Sequence, residues 1–235
     1  MGNPSLYMET QDVPAEFLFK LWPWLEANKT RLIGGGAAIV LVAIIYSFVA
    51  WQHGQNEINA GEAFTQLMLT PSSSLNASQE AAAFAELASK YSGTETARRA
   101  QLQAASTLFE SGNYADAQVQ FQKFLDVYSG PLGAVAALGV AASLEAQDKA
   151  DLAATAYQRV ISSYAGSPAA LQADFSLGRL AEQQGKLQEA EGYYESAAQP
   201  GRTGGTISEE AQGREYQIKM ELAATQKTPS SSPLK

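Results

Sequence analysis

Hydrophobic and polar positions divide the chain into one unbroken apolar run and a longer stretch with helical periodicity. From Leu32 to Gln52, twenty-one successive residues carry no charge. As a helix, the part from Ile33 to Trp51 reaches about 28 Å, close to the roughly 30 Å hydrocarbon core of a bilayer. This pattern predicts one transmembrane signal-anchor helix over residues 32–52, and no other part of the sequence contains a comparable run.

Two other structures are typical of apolar runs. A cleaved signal peptide has an apolar region of roughly 7–15 residues that ends in small residues at the cleavage site. The run here is longer, and Phe48 stands where a small residue would precede Ala50. A buried core helix needs other elements wrapped around it, whereas the rest of this chain is amphipathic. The sequence therefore favours a membrane span.

Charges and aromatic residues at the two ends of the run predict its orientation. Lys20, Lys29 and Arg31 precede it, and the first Lys or Arg after it is Lys90. Positive residues are retained in the cytoplasm, so residues 1–31 are expected to be cytoplasmic. The C-terminal part is then expected on the opposite side of the membrane. Aromatic residues between Phe17 and Trp24 suit a short helix at the headgroup level, with Pro23 predicted to bend the chain before the span.

The C-terminal part contains an internal repeat. Phe84, Phe121, Tyr157 and Tyr194 are spaced 37, 36 and 37 residues apart. A second set of markers, which begins at Gly112, Asp148 and Gly185, keeps steps of 36 and 37. Apolar residues between the markers fall at helical spacing, so each unit is predicted to be a pair of antiparallel helices. Units of this kind cannot bury their apolar faces alone and must stack.

The predicted organisation is all-α. A helical linker over residues 53–77 follows the span, a repeat domain occupies residues 78–225, and residues 226–235, rich in Ser and Pro, are expected to be disordered. The repeat domain begins with a half-unit, Ser78 to Tyr91, and ends with a capping helix, Ser208 to Thr225. Loops are expected over residues 71–74 and 201–205.

Composition argues against most catalytic chemistry. The chain has no cysteine, one histidine and a formal net charge of −8. The usual parts of metal sites, thiolate sites and catalytic triads are therefore missing, and His53 lies beside the membrane, far from a second ligand. An acidic chain is also a poor partner for nucleic acid. We expect no enzyme activity, no cofactor, no metal and no small-molecule substrate.

The repeat residues resemble the tetratricopeptide repeat. The third unit matches best, with Leu177 and Gly178 as the leucine-glycine pair, followed by Ala181, Gly185, Ala190, Tyr194 and Ala197. In the second unit Asp148 replaces the turn glycine. The resemblance covers roughly residues 78–200 and implies a solenoid of antiparallel helix pairs that binds other proteins.

The resemblance also implies a concave groove lined by the first helix of each pair. The residues it places there are Arg99, Leu102, Ser106, Phe109, Val135, Leu138, Ala142, Gln172, Phe175, Arg179 and Glu182. Some family members clamp a terminal carboxylate with Lys and Asn, but the matching positions here hold Leu102, Leu138 and Phe175, so this clamp is absent. The groove is expected either to bind a segment of another protein or to be filled by the N-terminal helix or the cap.

The overall plan is similar to the ancillary subunit family of the bacterial Sec translocon. The shared features are the aromatic segment before a Gly- and Ala-rich span, from Phe17 to Ala38, and Trp51 at its exit. This resemblance implies a non-enzymatic helper in the inner membrane, with a periplasmic domain that meets translocon subunits, exported polypeptides and chaperones.

Two alternatives stay open. Boundaries such as Tyr164-Ala-Gly-Ser-Pro resemble repeats of envelope-assembly and cell-division scaffolds, although those proteins are usually lipidated or cleaved, and this chain has neither a cysteine nor a cleavage site. A third class, an enzyme, survives only as a subunit that a partner activates.

Overall fold

A computed structural model describes residues 15–69, 75–128, 130–199 and 205–227. Within these ranges the secondary structure is entirely helical, which confirms the predicted all-α class. The helices are α1 (Ala15–Met68), α2 (Ala77–Lys90), α3 (Glu95–Glu110), α4 (Tyr114–Val127), α5 (Pro131–Ala146), α6 (Ala150–Ser163), α7 (Pro168–Gln183), α8 (Leu187–Ala198) and α9 (Thr206–Lys227). The loop predicted over residues 71–74 lies outside the described ranges, as do residues 201–204 of the loop predicted over 201–205 and most of the predicted tail.

Helix α1 is the candidate membrane span. It is the helix of the described residues that is long and apolar enough to cross a bilayer, with a most apolar window of mean hydropathy 2.4 that is 0% buried. A core helix of a soluble protein would be mostly buried. The helix is continuous through Pro23, so the predicted interfacial segment and the span are not separated by a break in the helix.

The chain forms two compact units, Met1–Gln55 and Asn56–Lys235, and the boundary falls within α1. The segment predicted as a linker, residues 53–77, therefore belongs from Asn56 onward to the same unit as the repeats. The reason is apolar packing: Ala60 is fully buried, and the rings of Phe64 and Phe84 lie 5.5 Å apart. The last turns of α1 thus complete a helix pair with α2.

Glu57 fixes these last turns of α1 against α3. Its carboxylate accepts hydrogen bonds from the backbone N–H of Glu95 at 2.8 Å and of Thr96 at 2.9 Å, and from the Thr96 hydroxyl at 2.6 Å. The first N–H groups of a helix lack partners within the helix and favour negative charge. The Thr96 hydroxyl, followed by these backbone bonds, lowers the pKa of Glu57.

Three helix pairs follow: α3 with α4, α5 with α6, and α7 with α8. Each helix packs on its neighbours in the chain, α3 contacts α5, α5 contacts α7, and α9 covers α8 and α7. The four aligned aromatic residues, Phe84, Phe121, Tyr157 and Tyr194, are at most 4% exposed. Their spacing in the sequence therefore marks one core position per pair, and the predicted solenoid is confirmed.

The turn inside each pair has the same backbone shape. Gly112 and Gly185 have φ values of 83° and 70°, and Asp148, at the corresponding place, has a φ of 59°. This left-handed conformation costs little for glycine but is unfavourable for residues with a Cβ. The second unit therefore keeps the turn at some cost in free energy, although it lacks the glycine.

Gly178 allows α7 and α8 to approach closely. A Cβ atom at this position would lie 2.8 Å from the ring of Tyr194, well inside van der Waals contact. The leucine-glycine pair in the sequence therefore marks the place where the buried tyrosine of α8 packs closely against the backbone of α7.

Candidate protein-binding cavity

The first helices of the three pairs line a cavity of about 400 Å³. Side chains three or four residues apart share one face of a helix, and the contacts between successive first helices bring these faces together. The lining residues are Phe109, Leu138, Ala142, Glu145, Ala146, Tyr157, Gln172, Ser176 and Arg179. We call this site the inner cavity. Its wall is apolar where Phe109, Leu138 and Ala142 lie, and polar where Glu145 of α5 and Arg179 of α7 lie.

Glu145 organises the polar side of the inner cavity. Its carboxylate accepts a 2.7 Å hydrogen bond from the Tyr157 hydroxyl and a 2.5 Å bond from Nη2 of Arg179. Burial is the main cause that raises the pKa of Tyr157, and the hydrogen bond to the negative Glu145 raises it further. The phenol therefore remains protonated and a donor over the whole physiological pH range.

The next repeat contains the same arrangement. Glu182 accepts a 2.8 Å hydrogen bond from the Tyr194 hydroxyl and a 3.4 Å bond from Arg214. Burial, and then Glu182, raises the pKa of Tyr194 in the same way. We refer to these two sets as Tyr-Glu-Arg clusters. Each joins both helices of one pair to the first helix of the next, or to the cap.

The first pair replaces the whole cluster with apolar residues. Phe109, Phe121 and Ala142 occupy the positions that correspond to Glu145, Tyr157 and Arg179. Phe109 packs against the core cluster that contains Phe121. In the first pair the aromatic residue, Phe121, has no hydroxyl, and the carboxylate and the guanidinium are absent as well. This is expected, because a buried polar group without a hydrogen-bond partner is destabilising.

Five of the predicted groove residues meet at the inner cavity. They are Phe109, Leu138, Ala142, Gln172 and Arg179. Each lies on the first helix of its pair, in α3, α5 or α7.

The other predicted groove residues lie elsewhere. Leu102 is 7% exposed and packs in the core with Phe121, and Phe175 packs edge-on against Tyr194 with ring centroids 5.5 Å apart. Leu102 is therefore a core residue, and Phe175 is half-buried against the second helix of its pair. Glu182 is engaged in its cluster.

Three more predicted residues are outside the inner cavity. Arg99 borders a second cavity, of about 570 Å³, beside Glu95 and Tyr128. Ser106 is half-buried on α3, and Val135 is exposed on α5.

Sequence reasoning missed four lining residues: Glu145, Ala146, Tyr157 and Ser176. A signal for two of them was present. In the second and third units a glutamate precedes the aligned tyrosine by twelve residues, whereas the first unit has no acidic residue at that position.

Stacked helix pairs whose first helices line a common cavity define a helical-repeat protein. Proteins of this class typically act as scaffolds for protein interactions. The chain matches the family described as tetratricopeptide repeat-like domain over residues 23–224, and it belongs to that family. The match includes most of α1, so the apolar helix lies within the matched region. No curated protein matches the chain.

Proposed function

We propose that this protein is a membrane-anchored, non-enzymatic interaction module that binds segments of other proteins in its inner cavity. The observation that carries the proposal is the inner cavity itself. The first helices of all three pairs contribute to it, and apolar side chains lie beside an exposed guanidinium. Pockets that bind ligands typically combine an apolar lining with a few polar groups that fix orientation.

The membrane location rests on α1 and on the charges before it. We propose that α1 crosses the bacterial inner membrane with residues 1–31 in the cytoplasm, and that the repeat unit lies in the periplasm. Because the chain has no cysteine, a single Ser78→Cys substitution gives a label site without background. Intact cells should be labelled at this site by a membrane-impermeant maleimide. Labelling only after lysis contradicts the proposed orientation.

We further propose that the module assists the Sec translocon or periplasmic chaperones. Its support is the plan of the chain: an aromatic segment, one span and an acidic helical-repeat domain. The alternative is a scaffold for envelope assembly or cell-division coordination.

Photo-crosslinking in intact cells separates these possibilities. A photoreactive residue at Ala142, in the inner cavity, is compared with one at Val119, which is 50% exposed on α4 and does not line that cavity. Translocon subunits, chaperones or many exported chains attached at Ala142 support the first role. One envelope or division protein supports the alternative. Equal crosslinking at both sites contradicts binding in the inner cavity.

A further inference from the structure

We infer that the inner cavity takes an extended protein segment in which a large apolar side chain lies next to an aspartate or glutamate, whose carboxylate binds Arg179. This inference rests on the proposed function and adds the chemistry of the ligand. It follows from which groups of the cavity are accessible and which are already engaged.

The apolar side of the inner cavity suits one large side chain. Phe109, Leu138 and Ala142 line it, and all three are only partly buried. The volume of about 400 Å³ lies in the range of roughly 300–1,000 Å³ that is typical of ligand pockets. A segment that inserts an aromatic or branched aliphatic side chain here removes apolar surface of both partners from water.

Arg179 is the accessible charged group of the polar side. Its side chain is 49% exposed, whereas that of its partner Glu145 is 18% exposed and Tyr157 is buried. A guanidinium carries five N–H donors. Within the described part of the chain, the hydrogen bond of Arg179 is the one to Glu145. The cavity therefore presents unused donors, and a ligand must supply acceptors.

A carboxylate is the acceptor that fits these donors best. The planar guanidinium binds carboxylates through two parallel hydrogen bonds, which are stronger than bonds to neutral acceptors. A cationic ligand is disfavoured, because Glu145 is mostly covered and each of its oxygens already accepts a bond, from Tyr157 or Arg179.

A side-chain carboxylate fits better than a chain terminus. Of the three positions at which a terminal-carboxylate clamp would need polar groups, Leu102 is in the core and Phe175 packs against Tyr194. The third holds Leu138, on the apolar wall. A single guanidinium beside this wall matches a single acidic side chain next to an apolar one.

The chain contains a matched control for Arg179. Arg214 bonds to Glu182 in the second Tyr-Glu-Arg cluster and is 45% exposed, yet it does not line the inner cavity. Replacement of either arginine removes the same kind of ion pair. Only replacement of Arg179 removes a donor from the inner cavity.

Binding of short synthetic peptides to the full-length chain in detergent micelles tests the inference. The peptides are amidated at the C-terminus and carry a central Phe-Asp, Phe-Asn or Ala-Asp pair in a Gly/Ser background, and affinity is measured by fluorescence anisotropy. The Phe-Asp peptide should bind about tenfold more tightly than either relative. Arg179→Gln should abolish the preference for Asp over Asn, and Arg214→Gln should preserve it.

Melting temperatures of both variants identify an effect on folding. If Arg179→Gln unfolds the protein, Arg179→Lys provides the second test. Lysine keeps the positive charge but lacks the planar guanidinium, so the preference for the Phe-Asp peptide over the Phe-Asn peptide should become smaller and still be measurable. Equal affinity for Phe-Asp and Phe-Asn, or a preference that Arg179→Gln leaves intact, overturns the inference. Neither result bears on the proposed function, which is contradicted instead by equal crosslinking at Ala142 and Val119.

Discussion

The hydroxyl of Tyr157 donates a 2.7 Å hydrogen bond to Glu145 across the helix pair α5 and α6. Tyr157 is 2% exposed, so this bond lies at the boundary between the core and the inner cavity. Tyr194 and Glu182 form the same bond, at 2.8 Å, in the following pair. The relationship fixes the two helices of a pair against each other and holds the glutamate toward the arginine of the next helix.

Loss of the Tyr157 hydroxyl should destabilise the repeat unit. Tyr157→Phe removes a hydrogen bond to a charged acceptor, and such bonds contribute about 1.5–3 kcal/mol. The free energy of unfolding, measured by urea denaturation of the protein in micelles, should fall by an amount in this range.

A double-mutant cycle shows whether the effect passes through Glu145. Glu145→Leu with Tyr157→Phe gives an apolar pair without the hydrogen bond, at the positions that Phe109 and Phe121 hold in the first pair. The double variant should lose less stability than the sum of the single variants, with a coupling of about 0.5–3 kcal/mol. Additive losses would mean that the hydrogen bond contributes nothing of its own.

The two buried tyrosines predict a loss of stability in alkali. The pKa values of Tyr157 and Tyr194 are raised above the ordinary value of 10.0, mainly by burial. In the unfolded chain both phenols lose their protons near pH 10, whereas the folded protein keeps them. Their contribution is therefore fully present below about pH 10 and declines above it, by at most about 1.4 kcal/mol per pH unit for each tyrosine.

Urea denaturation between neutral pH and pH 11 measures this decline. The variant with Tyr157→Phe and Tyr194→Phe is the control, since it retains every other group that titrates in alkali. Its stability should fall less steeply than that of the wild type. Parallel curves would show that the phenols do not cause the decline.

Two helical glycines should respond in opposite directions to alanine. At Gly178 a Cβ would meet the ring of Tyr194 at 2.8 Å, and at Gly192 it would meet nothing within 4 Å. Gly178→Ala should therefore lower the free energy of unfolding by about 1–3 kcal/mol through overpacking. Gly192→Ala should raise it by about 0.5–1 kcal/mol through helix propensity. A gain at both positions would contradict close packing of α7 on Tyr194.

The left-handed turn residue Asp148 is a site for stabilisation. Its φ of 59° is one that glycine adopts readily, and Gly112 and Gly185 hold the equivalent positions. Asp148→Gly should raise the free energy of unfolding by about 0.5 kcal/mol, because relief of backbone strain slightly exceeds the added entropy of the unfolded chain. Gly185→Asp is the reciprocal control and should be destabilising. A lower stability for Asp148→Gly would show that the Asp148 side chain contributes more than the strain costs.

The sequence predicts the repeat well because one aromatic residue per unit marks the core. Phe84, Phe121, Tyr157 and Tyr194 keep nearly constant spacing and are all buried, so the helix pairs follow from the pattern. The residues that line the groove are predicted less well. Phe175 lies on the first helix of its pair, as expected, yet it packs against Tyr194. Helical periodicity alone cannot tell an inner face from a face that the cap covers.

The features that the sequence does not predict depend on contacts between residues far apart in the chain. Glu57 caps α3 across a separation of 38 residues, and no local pattern indicates that partnership. The sequence consequently predicts a linker around Glu57, although Glu57 belongs to the compact repeat unit. Glu145 was recoverable from comparison of the repeats, whereas its bond to Arg179 depends on how α5 and α7 stack.

Recovery of partner proteins with a variant of the inner cavity shows whether this cavity binds other proteins. Ala142→Glu places a charge among the apolar lining residues, and Val119→Glu places one at an exposed position on α4. Proteins that co-purify with each full-length variant are quantified by mass spectrometry, and melting temperatures verify folding. If the inner cavity binds partners, Ala142→Glu loses them at an unchanged melting temperature, while Val119→Glu retains them. Undiminished recovery with folded Ala142→Glu would show that partners bind elsewhere on the protein.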